Sequence, residues 1–156
     1  NMSPNELRFR PGRTGYEHRA REVFADQLAK RGLRLTSQRA RILDFLLAAE
    51  RHVSLEDIQG ALKDLGRATV FRTLRVLLDS DLVSRVSGAK GAARCEVNLE
   101  RPHHDHLICT ACGGIAEVRW PELEKIPQRV CQEAGFAPSW HRHEVFGRCR
   151  ACRGAR

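Results

Sequence analysis

The chain has 156 residues, 42% of them apolar, enough for one ordinary domain or two small ones. It contains no run of about 18 apolar residues and no apolar stretch behind a basic start, so we expect no membrane span, no secretory signal and a cytoplasmic location. The net charge is +8, of which +6 lies in residues 1–41 and +2 in residues 91–156. This asymmetry favours a nucleic-acid partner at the N-terminal end, although a solvated basic surface has the same composition.

The N-terminal half is predicted to be helical. Residues 1–16 contain two prolines, two glycines and no apolar period, which favours a flexible arm. The first helix is expected over about 18–31 and ends at Gly32. Three further helices have polar residues that can cap their first turn: Thr36 or Ser37, Ser54 in a capping box with Asp57, and Thr69. The third helix is expected to end at Gly66.

Two strands, Leu82–Val86 and Arg94–Leu99, are predicted on either side of a turn. Alternation in the second strand directs Cys95 to the core and Glu96 to the polar face. Helices followed by a hairpin are typical of a winged helix-turn-helix, which we predict over 17–97, although a plain helical domain has the same periodicity. Basic residues favour the winged helix: Arg67, Arg72 and Arg75 on the polar side of the fourth helix, and Lys90 at the hairpin tip.

A hinge is predicted over 98–102 and a second domain over 103–156. In that domain we expect strands within 107–118 around a turn at Cys112-Gly-Gly114, a helix from Pro121 to about Ala134, and a strand near Ser139–Phe146. Cys131 lies on the apolar face of the helix and is expected to be buried. The predicted fold class is therefore α+β, with an N-terminal winged helix and a C-terminal α/β domain.

Four of the six cysteines form two C-x2-C pairs, Cys109-Thr-Ala-Cys112 and Cys149-Arg-Ala-Cys152, with 36 residues between them. Zinc prefers four soft ligands in a tetrahedron, and each pair supplies two thiolates at a suitable separation. A thioredoxin-like redox role is the alternative, but the motif is doubled and the expected βαβ context is absent. The pattern predicts a structural zinc site.

The segment His103-His104-Asp105-His106 offers four metal-binding side chains in a row. In a strand, His104 and His106 would lie on one face and His103 and Asp105 on the other, so one segment would supply two sites. Nitrogen and oxygen ligands suit Fe(II), Mn(II) or Zn(II), whereas a solvated histidine-rich loop is the alternative. Further candidate ligands are His52, Glu96, Glu117, Glu124, His141 and His143.

Together these residues resemble the ferric uptake regulator superfamily of bacterial metal-sensing repressors. The resemblance covers about residues 31–152. It is carried by Gly32-Leu-Arg-Leu-Thr36 with Arg39, Ala68-Thr-Val-Phe-Arg-Thr-Leu74, His103-His-Asp-His-Leu-Ile-Cys-Thr-Ala-Cys-Gly113 and Gly147-Arg-Cys-Arg-Ala-Cys152.

The resemblance implies a homodimeric repressor whose winged helix reads an inverted repeat in double-stranded DNA and whose C-terminal domain dimerises and binds metal. It implies three metal sites: structural zinc at Cys109, Cys112, Cys149 and Cys152; a sensing site at His52, Glu96, His104, His106 and Glu117; and an additional site at His103, Asp105, Glu124 and His141. For DNA, it implies base contacts by Phe71 and Arg72 and a minor-groove contact by Arg34. Thr69, Arg75 and Lys90 complete the predicted DNA-binding residues. Metal bound by both domains would fix the angle between them and so permit DNA binding.

Four departures from the family pattern stand out. Phe71 replaces the usual tyrosine, the segment 65–68 is shorter than usual, and the interval from Glu96 to His106 is longer. His143 has no counterpart in the iron branch of the family.

The ligand types favour Fe(II) as the sensed metal and control of metal-uptake genes as the function. Zinc sensing is the alternative, with Cys95 as its only nearby thiolate, and manganese or peroxide sensing also remains open. We do not expect an enzyme, because the sequence has no H-E-x-x-H, nucleophile elbow or P-loop. A zinc-stapled protein-interaction module would differ from a DNA-binding protein in showing no salt-dependent DNA affinity.

Overall fold

The computed structural model describes residues 13–49 and 52–154, and the chain divides into two compact units between Arg101 and Pro102. In these described ranges no helix is both long and apolar enough to cross a membrane. Residues 13–16 form the first turn of a helix, so the predicted arm over 1–16 was too long. The rest of that arm, residues 1–12, lies outside the described part of the chain.

The first unit contains four helices followed by a two-stranded antiparallel hairpin. The elements are α1 (Arg13–Ala29), α2 (Ser37–Ala48), α3 (Leu55–Ala61), α4 (Arg67–Asp79), β1 (Val83–Ser87) and β2 (Ala93–Val97). Each predicted helix and strand of this region is present, with ends that differ by one to several residues from the expected ones.

Local capping explains where the helices begin. Thr36 caps α2 by accepting a hydrogen bond from the Arg39 amide, and Ser54 and Asp57 form the predicted capping box of α3. The prediction for α4 was wrong: this helix begins at Arg67, before Thr69, and Gly66 is its N-cap without a side-chain hydrogen bond. The third helix also ends at Ala61, well before Gly66.

The core of the first unit lies between the helices and the hairpin. Apolar residues recur with the helical period, so that each helix buries one stripe, for example Phe24 and Leu28 of α1 and Val70 and Leu77 of α4. Each such side chain stabilises the fold by about 1.5–3 kcal/mol on full burial. Cys95 belongs to this core, as the strand alternation predicted.

The second unit is a three-stranded sheet with two helices. Its elements are β3 (Asp105–Cys109), β4 (Ile115–Val118), α5 (Pro121–Glu133), β5 (Glu144–Gly147) and α6 (Arg150–Arg153). The strand order is β4-β3-β5, where β3 is antiparallel to β4 and parallel to β5. The parallel pair requires a long crossover connection, and the segment that contains α5 provides it.

Two sequence predictions for this unit need correction, and one short helix was not predicted. The last strand starts at Glu144 instead of near Ser139, since its ladder with β3 begins where the His106 amide donates to the His143 carbonyl. The short helix α6 was not predicted. Cys131 is only half-buried, because α5 has no buried residue and its apolar side remains exposed in the single chain.

Candidate metal centres

The four cysteines of the C-x2-C pairs meet at one end of β3. Cys109 ends β3, Cys112 lies in the following turn, Cys149 is the N-cap of α6 and Cys152 lies within α6. The four Sγ atoms lie within 4.8 Å of one another, and Cys112 Sγ is 3.9 Å from Cys149 Sγ. A tetrahedron with Zn–S bonds of about 2.3 Å separates its sulfurs by about 3.8 Å, so the cluster has the dimensions of a zinc site.

Backbone geometry around these sulfurs favours a thiolate. Gly113 has φ +75°, which lets the chain turn back so that its amide donates to the Cys109 carbonyl. Hydrogen bonds from the amides of Cys112 and Cys149 lower the pKa of Cys109 to about 6. The hydrogen bonds of Cys152 with Cys149 and Cys112 raise the pKa of Cys152 to about 12. A cation would displace the thiol protons and bind the sulfurs as thiolates.

A second cluster joins the start of β3 to α5 and to the segment before β5. Ligand atoms of His103, Glu124, His141 and His143 lie within 4.8 Å of one another. Glu124 lies between two imidazoles, with Oε1 at 3.1 Å from His103 Nε2 and Oε2 at 2.9 Å from His141 Nε2. Asp105 is at the edge of this cluster, with Oδ1 at 3.1 Å from His143 Nδ1 and 3.5 Å from His103 Nε2.

Two residues of the predicted sensing site meet within the first unit. His52 Nε2 lies 3.1 Å from Glu96 Oε2, and both side chains are buried. Glu96 thus lies on the polar side of its strand, as the alternation predicted, and is buried there among polar partners. Its carboxylate also accepts hydrogen bonds from Ser84, at 3.0 Å, and from Arg101, at 2.9 Å.

The other three predicted sensing residues lie in the second unit. His106 is paired with Glu117 across the β3–β4 ladder, and the rings of His104 and His106 are 4.9 Å apart. The Pro102 carbonyl lies 3.1 Å from His104 Nδ1, and Nε2 of the same ring is 3.9 Å from Glu117 Oε1. A proton on Nδ1 would leave Nε2 as the metal-binding nitrogen. His103 and Asp105 point to the other cluster, which matches the predicted alternation.

Helix α4 presents a polar and basic face. Phe71 is 55% exposed, Arg72 and Arg75 are exposed, and Thr69 is half-buried. A cavity between α4 and the start of α2 is lined by Thr36, Gln38, Arg39, Thr69, Arg72 and Thr73. Hydroxyl and guanidinium donors around one cavity suit a phosphate oxygen.

Two other predicted DNA contacts lie outside α4. Arg34 is exposed in the segment before α2. Lys90 belongs to the 3-10 turn Ala89–Gly91 that joins β1 to β2, which is the hairpin tip where it was expected.

Comparison with known proteins identifies the family. The family model of the Ferric uptake regulator family matches residues 30–146. The chain belongs to the ferric uptake regulator family. Members of this family are metal-responsive transcription regulators that bind DNA.

Relatives with different regulatory roles resemble this family member almost equally. The ferric uptake regulation protein of Bordetella parapertussis is 36% identical over 135 residues, covering 83% of this chain and 96% of that protein. The peroxide-responsive repressor PerR of Staphylococcus epidermidis is 30% identical over 141 residues, covering 88% and 92%. The family is thus established by these likenesses, and the sensed signal has to be argued from the ligands.

The fold also matches solved structures of the family. The Helicobacter pylori ferric uptake regulator Fur, which has three functional metal-binding sites, superposes with a TM-score of 0.79 at 25% identity, over 99% of both chains.

Sequence reasoning missed how three residues surround the candidate ligands. Among the described residues, Ser84 and Arg101 contact Glu96, and His143 contacts Asp105. His143 was itself among the predicted candidate ligands, and only its contact with Asp105 was not predicted; it lies two residues after His141, and residues two apart in an extended segment share a face. No local signal predicts Ser84 or Arg101, since their contacts depend on hairpin pairing and on the path of the chain after β2.

Proposed function

We propose that this family member is a repressor that senses Fe(II) and controls metal-uptake genes. The observation that carries the choice of iron is the position of Cys95. This side chain is 8% exposed, packs into the apolar core, and burial raises the pKa of its thiol. The proposed sensing ligands are then imidazoles and carboxylates only, a set that suits Fe(II) better than a thiolate-containing set would.

We assign the sensing site to His52, Glu96, His104, His106 and Glu117. The first two come from the DNA-binding unit and the other three from the sheet unit. An ion bound by ligands from both units would restrict the relative orientations that the two units can adopt. The ion shifts this equilibrium only by the difference in its affinity for the DNA-binding arrangement and for the others.

The cysteine cluster is proposed to hold structural zinc. The Sγ separations fit a tetrahedral ion, and zinc in such a site contributes folding free energy. Zinc at this site would connect the end of β3 to α6 and would remain bound while the sensing site fills and empties.

A homodimer is proposed from the apolar surface of the sheet unit. Exposed residues of this unit include Trp120, Ile126, Val130, Phe136, Trp140, Val145 and Phe146. Monomeric proteins rarely expose so many large apolar side chains on one small unit, and β5 lies at one edge of the sheet. A second copy of the chain would cover this surface and give the two DNA-reading helices the two-fold symmetry of an inverted repeat.

The test is operator binding at controlled free metal. Fluorescence anisotropy with an inverted-repeat duplex, using dimer that retains its thiolate-bound zinc, should show affinity that rises with Fe(II) at very low free zinc. His104→Ala should keep the dimer and the structural zinc and lose this dependence, because it removes one sensing nitrogen. The exposed His18, on α1, provides the matched control His18→Ala.

Buffering of the metals decides between the family branches. Zinc binds most nitrogen and oxygen sites more tightly than iron, so an open titration would mislead. Activation only by buffered zinc would overturn the assignment to iron and favour a zinc uptake regulator. Activation by Mn(II) alone, or loss of DNA binding after peroxide treatment of the Fe(II) form, would favour the manganese or the peroxide branch.

A further inference from the structure

The second cluster contains one imidazole more than the resemblance implied. We propose that His143, rather than Asp105, is its fourth ligand, and that His103, Glu124, His141 and His143 form a zinc site distinct from the cysteine site. The inference rests on the proposed metal-binding function of the second unit and assigns one of its sites. The four ligand atoms lie within 4.8 Å of one another.

Asp105 has a different role in this arrangement. Its side chain is buried, 2% exposed, and Oδ1 lies 3.1 Å from His143 Nδ1. Metal-binding histidines usually donate their second ring N–H to a carboxylate, which fixes the tautomer and the ring orientation. With its proton on Nδ1 and directed to Asp105, the His143 ring offers Nε2 to a cation. Asp105 then acts through His143 as a positioning residue.

The candidate ligand atoms of this cluster lie close together, but within the described part of the chain one buried nitrogen among them makes no hydrogen bond. His141 Nε2 is buried and lies 2.9 Å from Glu124 Oε2, yet among the described residues it has no hydrogen-bond partner. Buried polar atoms are nearly always paired, so an unsatisfied nitrogen beside a carboxylate marks a place where a cation would satisfy both. The rings of His141 and His143 are 5.0 Å apart, and those of His103 and His141 are 4.5 Å apart.

The ligand set selects the class of metal. Three neutral imidazoles and one carboxylate provide the four-coordinate nitrogen-rich environment typical of zinc. Mn(II) prefers oxygen ligands in an octahedron and is disfavoured by the replacement of a carboxylate with an imidazole. The histidine cluster therefore favours zinc over Mn(II).

Co(II) is the probe, because it replaces zinc in tetrahedral sites and absorbs strongly there. The full chain, with its thiolate-bound zinc, is titrated with Co(II), and zinc affinity is measured by competition with a chromophoric chelator. Glu124→Gln identifies the part of the spectrum that belongs to the histidine cluster. His143→Ala should remove that same part and lower zinc affinity by more than the roughly 10–100-fold that loss of an outer hydrogen-bond partner costs.

Two further variants separate a ligand from its positioning partner. Asp105→Asn should keep the tetrahedral Co(II) spectrum and weaken zinc binding by roughly 10–100-fold. His143→Gln supplies no imidazole nitrogen and should behave as His143→Ala, which covers the case in which alanine disturbs the fold. His18→Ala, a histidine outside the clusters, should match the unchanged protein.

The proposal is overturned if Asp105→Asn removes the cluster's Co(II) absorption while both His143 variants retain it. It is also overturned if neither change affects the spectrum or the zinc affinity. Neither readout uses DNA, so failure of the iron-sensing function would leave the result for His143 standing, and the reverse also holds.

Discussion

At the scale of single residues, two neighbours on β2 show how burial determines chemistry. Cys95 and Glu96 are both 8% exposed although they point to opposite faces of the strand. The thiol is held among apolar side chains and stays neutral, whereas the carboxylate is surrounded by donors from His52, Ser84 and Arg101. One side chain thus serves packing and the other is available for metal binding.

The buried thiol of Cys95 gives the fold a pH dependence in the alkaline range. Burial raises its pKa above the ordinary value of 9.0, so above pH 9 the unfolded chain loses this proton before the folded chain does. The unfolded state then binds fewer protons, and the free energy of unfolding falls as pH rises, by at most about 1.4 kcal/mol per pH unit. Below pH 9 both states keep the proton and Cys95 contributes no slope.

Cys95→Val should remove that part of the slope while keeping an apolar side chain of similar size. Urea denaturation at pH 8 and near pH 10, with both proteins loaded with zinc, measures the change in the free energy of unfolding between the two pH values. All other titrating groups are the same in the two proteins, so the difference between them reports Cys95. If the free energy of unfolding falls equally between the two pH values in both proteins, folding does not raise the pKa of Cys95 and the prediction is wrong.

At the scale of secondary-structure elements, α4 combines a buried stripe with an exposed basic face. Val70, Leu74 and Leu77 anchor the helix to the core, which fixes the direction of Phe71 and Arg72 toward solvent. A rigid helix that holds a guanidinium in this way can read the edge of a guanine in the major groove. Position within the element, more than charge alone, makes Arg72 a candidate for base recognition.

Arg72→Ala should lower affinity for the operator by about 1–3 kcal/mol and relax specificity at one base pair. Arg39→Ala, at the cavity beside α4, should weaken binding to all DNA sequences. It should also lower the slope of log affinity against log salt concentration by about 1, because one phosphate contact is lost. Anisotropy titrations with operator and scrambled duplexes over a range of salt measure both, with Arg129→Ala on α5 as the control. An equal loss on both duplexes for Arg72→Ala would assign that residue to phosphate instead of base.

The elements also show what sequence can and cannot predict. Local signals sufficed where both partners are close in the chain, as in the capping box of Ser54 with Asp57 and the C-x2-C pairs. They failed for the start of α4, because Gly66 caps it without a side-chain signal and Thr69 lies inside the helix. They also failed for β5, whose start depends on pairing with a strand nearly forty residues earlier.

At the scale of the whole molecule, the exposed apolar surface of the sheet unit is the main unexplained feature of the single chain. The apolar period of α5 predicted a buried helix face, yet Ile126 and Val130 are about half exposed. An apolar period in a sequence predicts that a helix face is buried. It does not predict whether that face packs against the same chain or against another one. The candidate sites were also predicted only in part. Strand alternation separated the histidines into two sets, but no sequence pattern predicted that Arg101 lies beside Glu96.

If the proposed homodimer forms through this surface, the double variant Ile126→Glu with Val130→Glu should be a monomer. Stable interfaces bury about 1,200–2,000 Å² in total, and two carboxylates without partners at the centre of one would be strongly unfavourable. Light scattering over a concentration series measures the mass, with Gln128→Glu, an exposed position on the other side of α5, as the control. A dimer that persists in the double variant would exclude this face of α5 from the interface.

The parallel pairing of β3 with β5 affects the folding rate of this unit as well as its stability. Cys109 and Cys149 are 40 residues apart, and closing a loop of that length costs about 3 kcal/mol of chain entropy before any strand contact is gained. If zinc binds the cysteine cluster as proposed, an ion that binds one C-x2-C pair and then the other would hold the loop closed while the crossover forms. Zinc supply would then set how soon a newly made chain can respond to the metal that it senses; if that metal is iron, as proposed, two metals would act in succession on one molecule.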